Sequence, residues 1–501
     1  YDALGRTRGV TAPDGTERTT RFEIGRATTT DELGHREISY LDGRGQVIQI
    51  DQETGTTAGT PAVSARHQHD GLGRLLRVVD HLGNTTAIGY DLLVRRSTIV
   101  DPDRGRASYT YLGNGLLEQV TDAAGQTIWY GYDADGRRIQ REDRDAKGRV
   151  TRTVTWTWDR DPGGAPAGAS VGHIVTVQDQ QAGATVTTRQ GYDVLGHIVD
   201  AQQCVDGVCL ALWSAYDQAG RLASITYPDA SGAVSRSSET VVHTYDEAGR
   251  LQAVGGYATA LSYDLDGQLA GTTYGNGVTT AIGRDPLRRW VDTVEVISPL
   301  AGSIYHAAYG HGADGKVRWL EESNPNTTFL SYTFDDLGRL IRVDSPEPER
   351  EERFGFDLIG RLRWSPLIGD VSYDDPAHVH APTRTDGGHR RGYDEVGNLT
   401  TLRDPAGRSL DLGWTVDGRL ASLTDTGSGR VTSYAYDPTG ARVKKDGAAG
   451  VSLYFGSLVE LRGADLITYY VAGDRLLARR EGNQVHYYTQ DQVHSTRLLT
   501  D

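Results

Sequence analysis

The 501-residue chain carries 52 Lys and Arg against 67 Asp and Glu, a net charge of −15 that argues against wrapping nucleic-acid phosphates. No run approaches the roughly 18 consecutive apolar residues of a membrane helix, and the mean hydropathy of −0.48 agrees, so a spanning helix is excluded. With 26 Tyr, eight Trp, six Phe and 62 Gly, the composition favours half-buried sheet faces over capped helices. Met is absent even from position 1, and the first residues show neither a basic nor an apolar leader pattern, so an internal segment of a longer protein is expected.

One motif recurs along the chain: an aromatic residue, Asp, two variable residues, Gly, a polar residue that is often Arg, then often Leu. The first copy is Tyr1-Asp2 with Gly5-Arg6. Further copies are Tyr132-Asp133 with Gly136, Tyr192-Asp193 with Gly196, Tyr216-Asp217 with Gly220, Tyr245-Asp246 with Gly249, and Tyr263-Asp264 with Gly267. Phe334-Asp335, Phe356-Asp357, Tyr393-Asp394 with Gly397, and Tyr436-Asp437 with Gly440 continue the series, and looser copies fill the gaps. The period is about 20 residues.

Each copy reads as strand, turn, strand. The Asp accepts a hydrogen bond from backbone two residues on, the Gly supplies the positive φ that closes the turn, and the aromatic and the Leu pair across the strands. Period-2 alternation places Val154, Trp156 and Trp158 on one face. About two dozen units would give some four dozen short strands, too many for one open twisted sheet, so the ribbon must close or coil. A wall wetted on both sides is expected, with a solid two-layer sandwich as the competing arrangement. The stretch Asp161 to Ser170 reads as a hairpin loop, and no stronger domain boundary is visible.

These copies resemble the YD repeats of the Rhs family of bacterial polymorphic toxins, shared with Tc-toxin C components and animal teneurins. The tail from Tyr487 to Asp501 is similar to the Rhs core terminus, with His494 where that family has Gly. The resemblance implies an all-β fold in which hairpins spiral into a hollow shell or barrel-like solenoid. Residues 1–440 would form the shell and 441–501 a terminal segment leading to a cargo region. It further implies a secreted or cell-surface product that sequesters its own C-terminal toxin until a secretion or delivery apparatus acts. Full-length members carry, beyond this terminal segment, an aspartyl protease built on DPxG motifs.

Nothing in the sequence argues for an enzyme or a cofactor: GxSxG, P-loop and GxGxxG patterns are absent. Asp404-Pro405-Ala406-Gly407 and Asp437-Pro438-Thr439-Gly440 occupy the turn slot of the repeat. Asp425-Thr426-Gly427 echoes a pepsin-like triplet but occurs once, so a loop is expected. His67 with His69, and His378 with His380 beside Asp374 and Asp375, have strand spacing for two metal ligands each, but no third ligand is evident and solvated histidines are expected. Asn84, Asn326 and Asn398 head acceptor sequons expected to be chance.

Cys204-Val205-Asp206-Gly207-Val208-Cys209 reads as a two-residue Asp-Gly hairpin with the thiols directly opposite, which predicts a disulfide and an oxidising compartment; the alternative is two reduced thiols. The repeat residues are thus structural: Asp caps the turn, Gly permits it, and the rings pack the wall. Two rival readings are a teneurin-like adhesion module binding a protein or glycan, and a carbohydrate-active β-solenoid with a carboxylate pair.

Overall fold

A computed structural model describes residues 1–55, 62–160, 168–229, 238–324 and 326–501. The fold is all-β, as the repeat chemistry requires: 46 strands are found among these residues, with two short 3-10 turns as the helical elements. Strands pair antiparallel with their neighbours in sequence, as in Trp129↔Glu142 and Glu142↔Thr153. Of the expected loop at Asp161 to Ser170, the part 161–167 lies outside the described residues, and Gly168–Ser170 forms one of the 3-10 turns.

The chain forms two compact units. The first comprises Tyr1–Ser108, Ile282–Glu295 and Ser303–Gly407; the second comprises Tyr109–Ala281, Val296–Gly302 and Arg408–Asp501. Buried apolar residues of the first include Ile38, Leu320 and Val343, while the second is richer, with Val154, Val186, Val205, Val254, Ile467 and Tyr470 almost fully covered.

The repeat turn follows one design, seen at Asp246. Its carboxylate accepts the Arg250 N–H at 2.9 Å and the Arg250 Nε–H at 2.7 Å, while the Gly249 N–H donates to the Asp246 carbonyl at 2.9 Å. Gly249 holds φ +81°, and Tyr245 lies opposite Leu251 across a bulge. The same aromatic–Leu pairing joins Tyr216 to Leu222, Tyr263 to Leu269 and Tyr393 to Leu399. At Tyr436 the partner is Arg442.

Among the described residues, non-glycine residues can hold the turn's closing position and keep its geometry. Val94 and His494 adopt φ +69° and +62°. Asp491 Oδ1 still accepts the Val493 and Ser495 N–H groups at 3.0 and 2.9 Å, so the terminal turn is as closed as the rest. A β-branched side chain at Val94 holds this region at a cost on the order of 1 kcal/mol.

Candidate functional site: the repeat ladder and its polar clasps

The repeats are tied to one another by a contact that local sequence reading does not reveal. The Arg that anchors one Asp also lies over the aromatic ring of the next repeat, with Arg221 4.4 Å from the Tyr245 centroid and Arg250 4.8 Å from that of Tyr263. His197 replaces Arg in this role, stacking on Tyr216 at 4.4 Å. The tyrosine hydroxyl completes the rung by donating to a carbonyl one repeat back, Tyr245 to Leu222 at 2.8 Å and Tyr132 to Leu117 at 2.7 Å. The arginine rungs therefore combine a charge-assisted hydrogen bond, a cation–π contact and a half-buried, hydrogen-bonded phenol.

The named repeat aspartates sit in this geometry. Asp133, Asp217 and Asp394 each accept the backbone N–H four residues on, at 2.8, 2.9 and 2.8 Å. Asp437 accepts the Thr439, Gly440 and Ala441 N–H groups, each at 2.9 Å. Gly136, Gly220, Gly397 and Gly440 all have positive φ. The Gly407 N–H closes the turn on the Asp404 carbonyl at 3.1 Å, and Asp425 accepts from Gly427 and Ser428. The Ser428 backbone N–H leads the groups that hold the Asp425 carboxyl below its usual range, so this group is a turn acceptor rather than a proton donor.

Cys204 and Cys209 occupy opposite positions in the hairpin of strands Ile198–Val205 and Val208–Tyr216, with α-carbons 3.9 Å apart and sulfurs bonded. Asp206 and Gly207 take φ +51° and +83°, the two positive angles a two-residue turn of this kind needs.

The histidine pairs do not converge on a common point. Among the described residues no group of three or more His, Cys, Asp or Glu side chains is placed to hold a metal ion. His67 and His69 lie opposite Val78 and Leu75, and burial, followed by the His69 charge, lowers the His67 pKa. His378 is not solvated: it is 6% exposed and hydrogen-bonded to the Asp375 carboxylate at 2.7 Å, while Asp374 lies 3.7 Å from Arg384. His380 contacts Asp103 through Nδ1 and Asp80 through Nε2, the latter at 3.3 Å.

Burial pulls the His380 imidazole down, but the hydrogen bonds with Asp103 and Asp80 outweigh it and its pKa stands above the ordinary value. A raised histidine pKa contributes stability below the unfolded value and loses it as pH rises through the folded one. The denaturation midpoint of the first unit is therefore expected to fall on going from pH 6 to pH 9, and to fall less in His380→Gln. NMR titration of the imidazole checks the cause: a midpoint at or below about 6.5 contradicts it.

Two long-range clasps organise the second unit. On one face of strands Arg138–Arg144, Val150–Trp158 and Ile174–Gln181, Arg141, Val154 and Asp179 form one row and Asp143, Arg152 and Gln181 the next. Arg141 chelates Asp143 at 2.6 and 2.7 Å, and Arg152 chelates Asp179 at 2.9 and 2.5 Å. Asp417 reaches both guanidinium groups, at 3.0 and 3.5 Å, and Arg152 and Gln181 donate to the Tyr436 carbonyl at 3.1 and 2.6 Å. Burial pushes the Asp143 and Asp179 carboxyls up, partly offset by their arginines. Beside the clasp is a cavity of about 470 Å³ lined by Trp414, Tyr434, Ser422, Gly183 and Lys444.

In the second clasp Glu239 accepts from Tyr257 and Tyr470, both at 2.6 Å, and pairs with Arg480 at 2.8 Å. The Tyr257 and Tyr470 rings are stacked, and burial, then the hydrogen bond to Glu239, pushes the Tyr470 phenol up to about 12. Strand Gln484–Gln490 and the terminal residues join the same unit: Tyr487 approaches the Gly256 carbonyl at 3.4 Å, and Asn276 donates to Thr500 at 3.0 Å. Asp491, 1% exposed, pairs with Arg497 at 2.8 Å. Sequence reading missed these groups, although a charge at Arg152, two residues from Val154 on the same buried face, is the signal that could have found the first clasp.

Comparison with known proteins follows the same lines. The RHS Repeat family model matches residues 111–150, 393–427 and 414–452. The Double-stranded DNA deaminase toxin A of Burkholderia cenocepacia (strain H111) is 24% identical over an alignment covering the whole chain; the chain spans 37% of that relative's length. Among solved structures, a Photorhabdus luminescens Tc holotoxin pore with a TccC3 mutation aligns over the whole chain and 29% of its own, with TM-score 0.82 and 17% identity. A TcdB2-TccC3-TEV crystal structure gives TM-score 0.81 at 17% identity over the whole chain and 29% of its own. The chain therefore carries RHS repeats at residues 111–150 and 393–452, and over its whole length its fold is similar to that of these TccC3-containing structures.

Proposed function

We propose that this chain is a non-catalytic wall segment of a secreted Rhs-like toxin, and that its hairpins enclose a C-terminal toxin cargo until delivery. The observation that carries the reading is the recurrence of Asp-Gly hairpin turns along the described residues, in a fold that aligns end to end with structures containing TccC3. It is supported by the relative named as a toxin, of which this chain matches little more than a third. Such a ladder uses its carboxylates as turn acceptors and ion-pair partners, which leaves a structural rather than a chemical role for them.

The test is a cryo-EM map of the full-length parent together with limited proteolysis. Density for another polypeptide inside an enclosed volume, and cargo that resists protease until the wall is denatured, are the expected results. An open ribbon with freely digested cargo overturns the reading. A teneurin-like adhesion role has one observation in its favour: Trp319 and Phe329 stack at 6.1 Å while remaining 36% and 42% exposed. Saturable glycan or protein binding abolished by Trp319→Ala would move the assignment there.

A further inference from the structure

The disulfide hairpin does more than close a short loop. Its tip is wired to a distant strand of the same unit, because the Asp206 carboxylate accepts the Thr185 N–H at 2.8 Å and the Lys444 ammonium at 2.9 Å. Lys444, in strand Arg442–Gly447, also donates to the Gly183 carbonyl at 3.0 Å. One lysine therefore joins two neighbouring hairpin tips, Gln181 to Ala184 and Val205 to Val208, to a strand more than 230 residues away in sequence. It also lines the 470 Å³ cavity beside the Arg152 clasp.

The position of Asp206 depends on the pair behind it. Val205 is fully buried at the end of the row that runs through Asp179 and Val186, but Asp206, Gly207, Val208 and Cys209 are exposed. The bond from Cys209 to Cys204 is thus the covalent tie across the exposed tip, reinforcing the strand pairing from Asp200↔Trp213 to Val205↔Val208 and the Asp206 N–H donated to the Thr185 carbonyl at 2.9 Å. Closing so short a loop contributes little to global stability, so opening it should leave the unit folded.

We propose that the Cys204–Cys209 disulfide is a redox-sensitive latch that fixes the Asp206 tip against Lys444 and thereby pins strand Arg442–Gly447 to the Gln181–Ala184 turn. The exchange is with a dithiol reductant. One of its thiolates attacks the exposed Cys209 sulfur and forms a mixed disulfide, expelling Cys204 as thiolate, which takes up a proton. The second thiolate then displaces Cys209 as the reductant leaves oxidised, so two electrons and two protons have passed to the cysteines. With both thiols free the tip splays and Lys444 loses its fixed carboxylate. That this loosening serves to open a container in a reducing compartment rests on the function proposed above; the latch itself does not.

Hydrogen exchange on the intact chain, oxidised and after phosphine or dithiol reduction, tests it without any cargo. Reduction is expected to speed exchange about fivefold or more at residues 182–186 and 442–447 as well as at 202–211, with the remainder of the unit unchanged. Lys444→Gln in the oxidised protein should already show the fast exchange at 182–186 and 442–447 and gain nothing further there on reduction. Change confined to 202–211, or an undiminished response of 442–447 in Lys444→Gln, overturns the latch. A container that still protects its cargo after a demonstrated opening would instead count against the wall reading.

Discussion

Arg152→Ala is expected to destabilise the second unit by about 3–5 kcal/mol, because it leaves a buried carboxylate without its counter-charge. Asp179 is fully buried and Arg152 only 5% exposed, and the guanidinium also serves Asp417 and the Tyr436 carbonyl. The loss is therefore not one surface ion pair but the centre of a network joining strands near residues 141–181 to turns near 417 and 436. Replacing both partners, as Arg152→Met with Asp179→Leu, is expected to recover most of the loss, since an apolar pair carries no desolvation cost. Exchange protection of strand Ile174–Gln181 reads this directly in the second unit. A single-site loss under about 1 kcal/mol, or a double substitution worse than the single, would show that the charges do not act as a unit.

That network marks where legibility in the sequence ends. The turn is legible because all its parts lie within seven residues: Asp246, Gly249 and Leu251 fix acceptor, conformation and pairing without help from elsewhere. The Cys204–Cys209 pairing is equally local, set by a two-residue turn. The second job of Arg221, lying over Tyr245, spans one repeat and was hidden by an apparently surface-like Gly-Arg pair. Glu239, Tyr257, Tyr470 and Arg480 converge from positions up to 241 residues apart, and no spacing rule connects them. His378 and His380 illustrate the converse. Their i, i+2 spacing on a strand read as two solvated histidines on one face, but one faces Asp375 and the other Asp103 and Asp80, because the chain around them is turn rather than strand.

Gly440→Ala is expected to cost about 2 kcal/mol, against about 1 kcal/mol for the same change at Gly267. Both glycines close Tyr-Asp turns of the second unit with positive φ, +95° and +78°, so the backbone penalty is common to the pair. The difference is what lies above them. A β-carbon at Gly267 meets nothing within 4 Å, but at Gly440 it would fall 1.8 Å from the Arg419 guanidinium. Arg419 covers that turn because it donates to the Gly440 carbonyl at 2.9 Å and sits 5.6 Å from the Tyr436 ring centroid. The methyl group therefore displaces the flexible Arg419 tip from the Gly440 carbonyl as well as straining one turn. Gly440→Ala combined with Arg419→Ala separates the contributions: if the rung is the source of the excess, the second substitution adds little to the first. Equal losses at Gly440 and Gly267 would mean that repeat turns are stabilised one by one, and that the arginine rungs merely decorate the ladder.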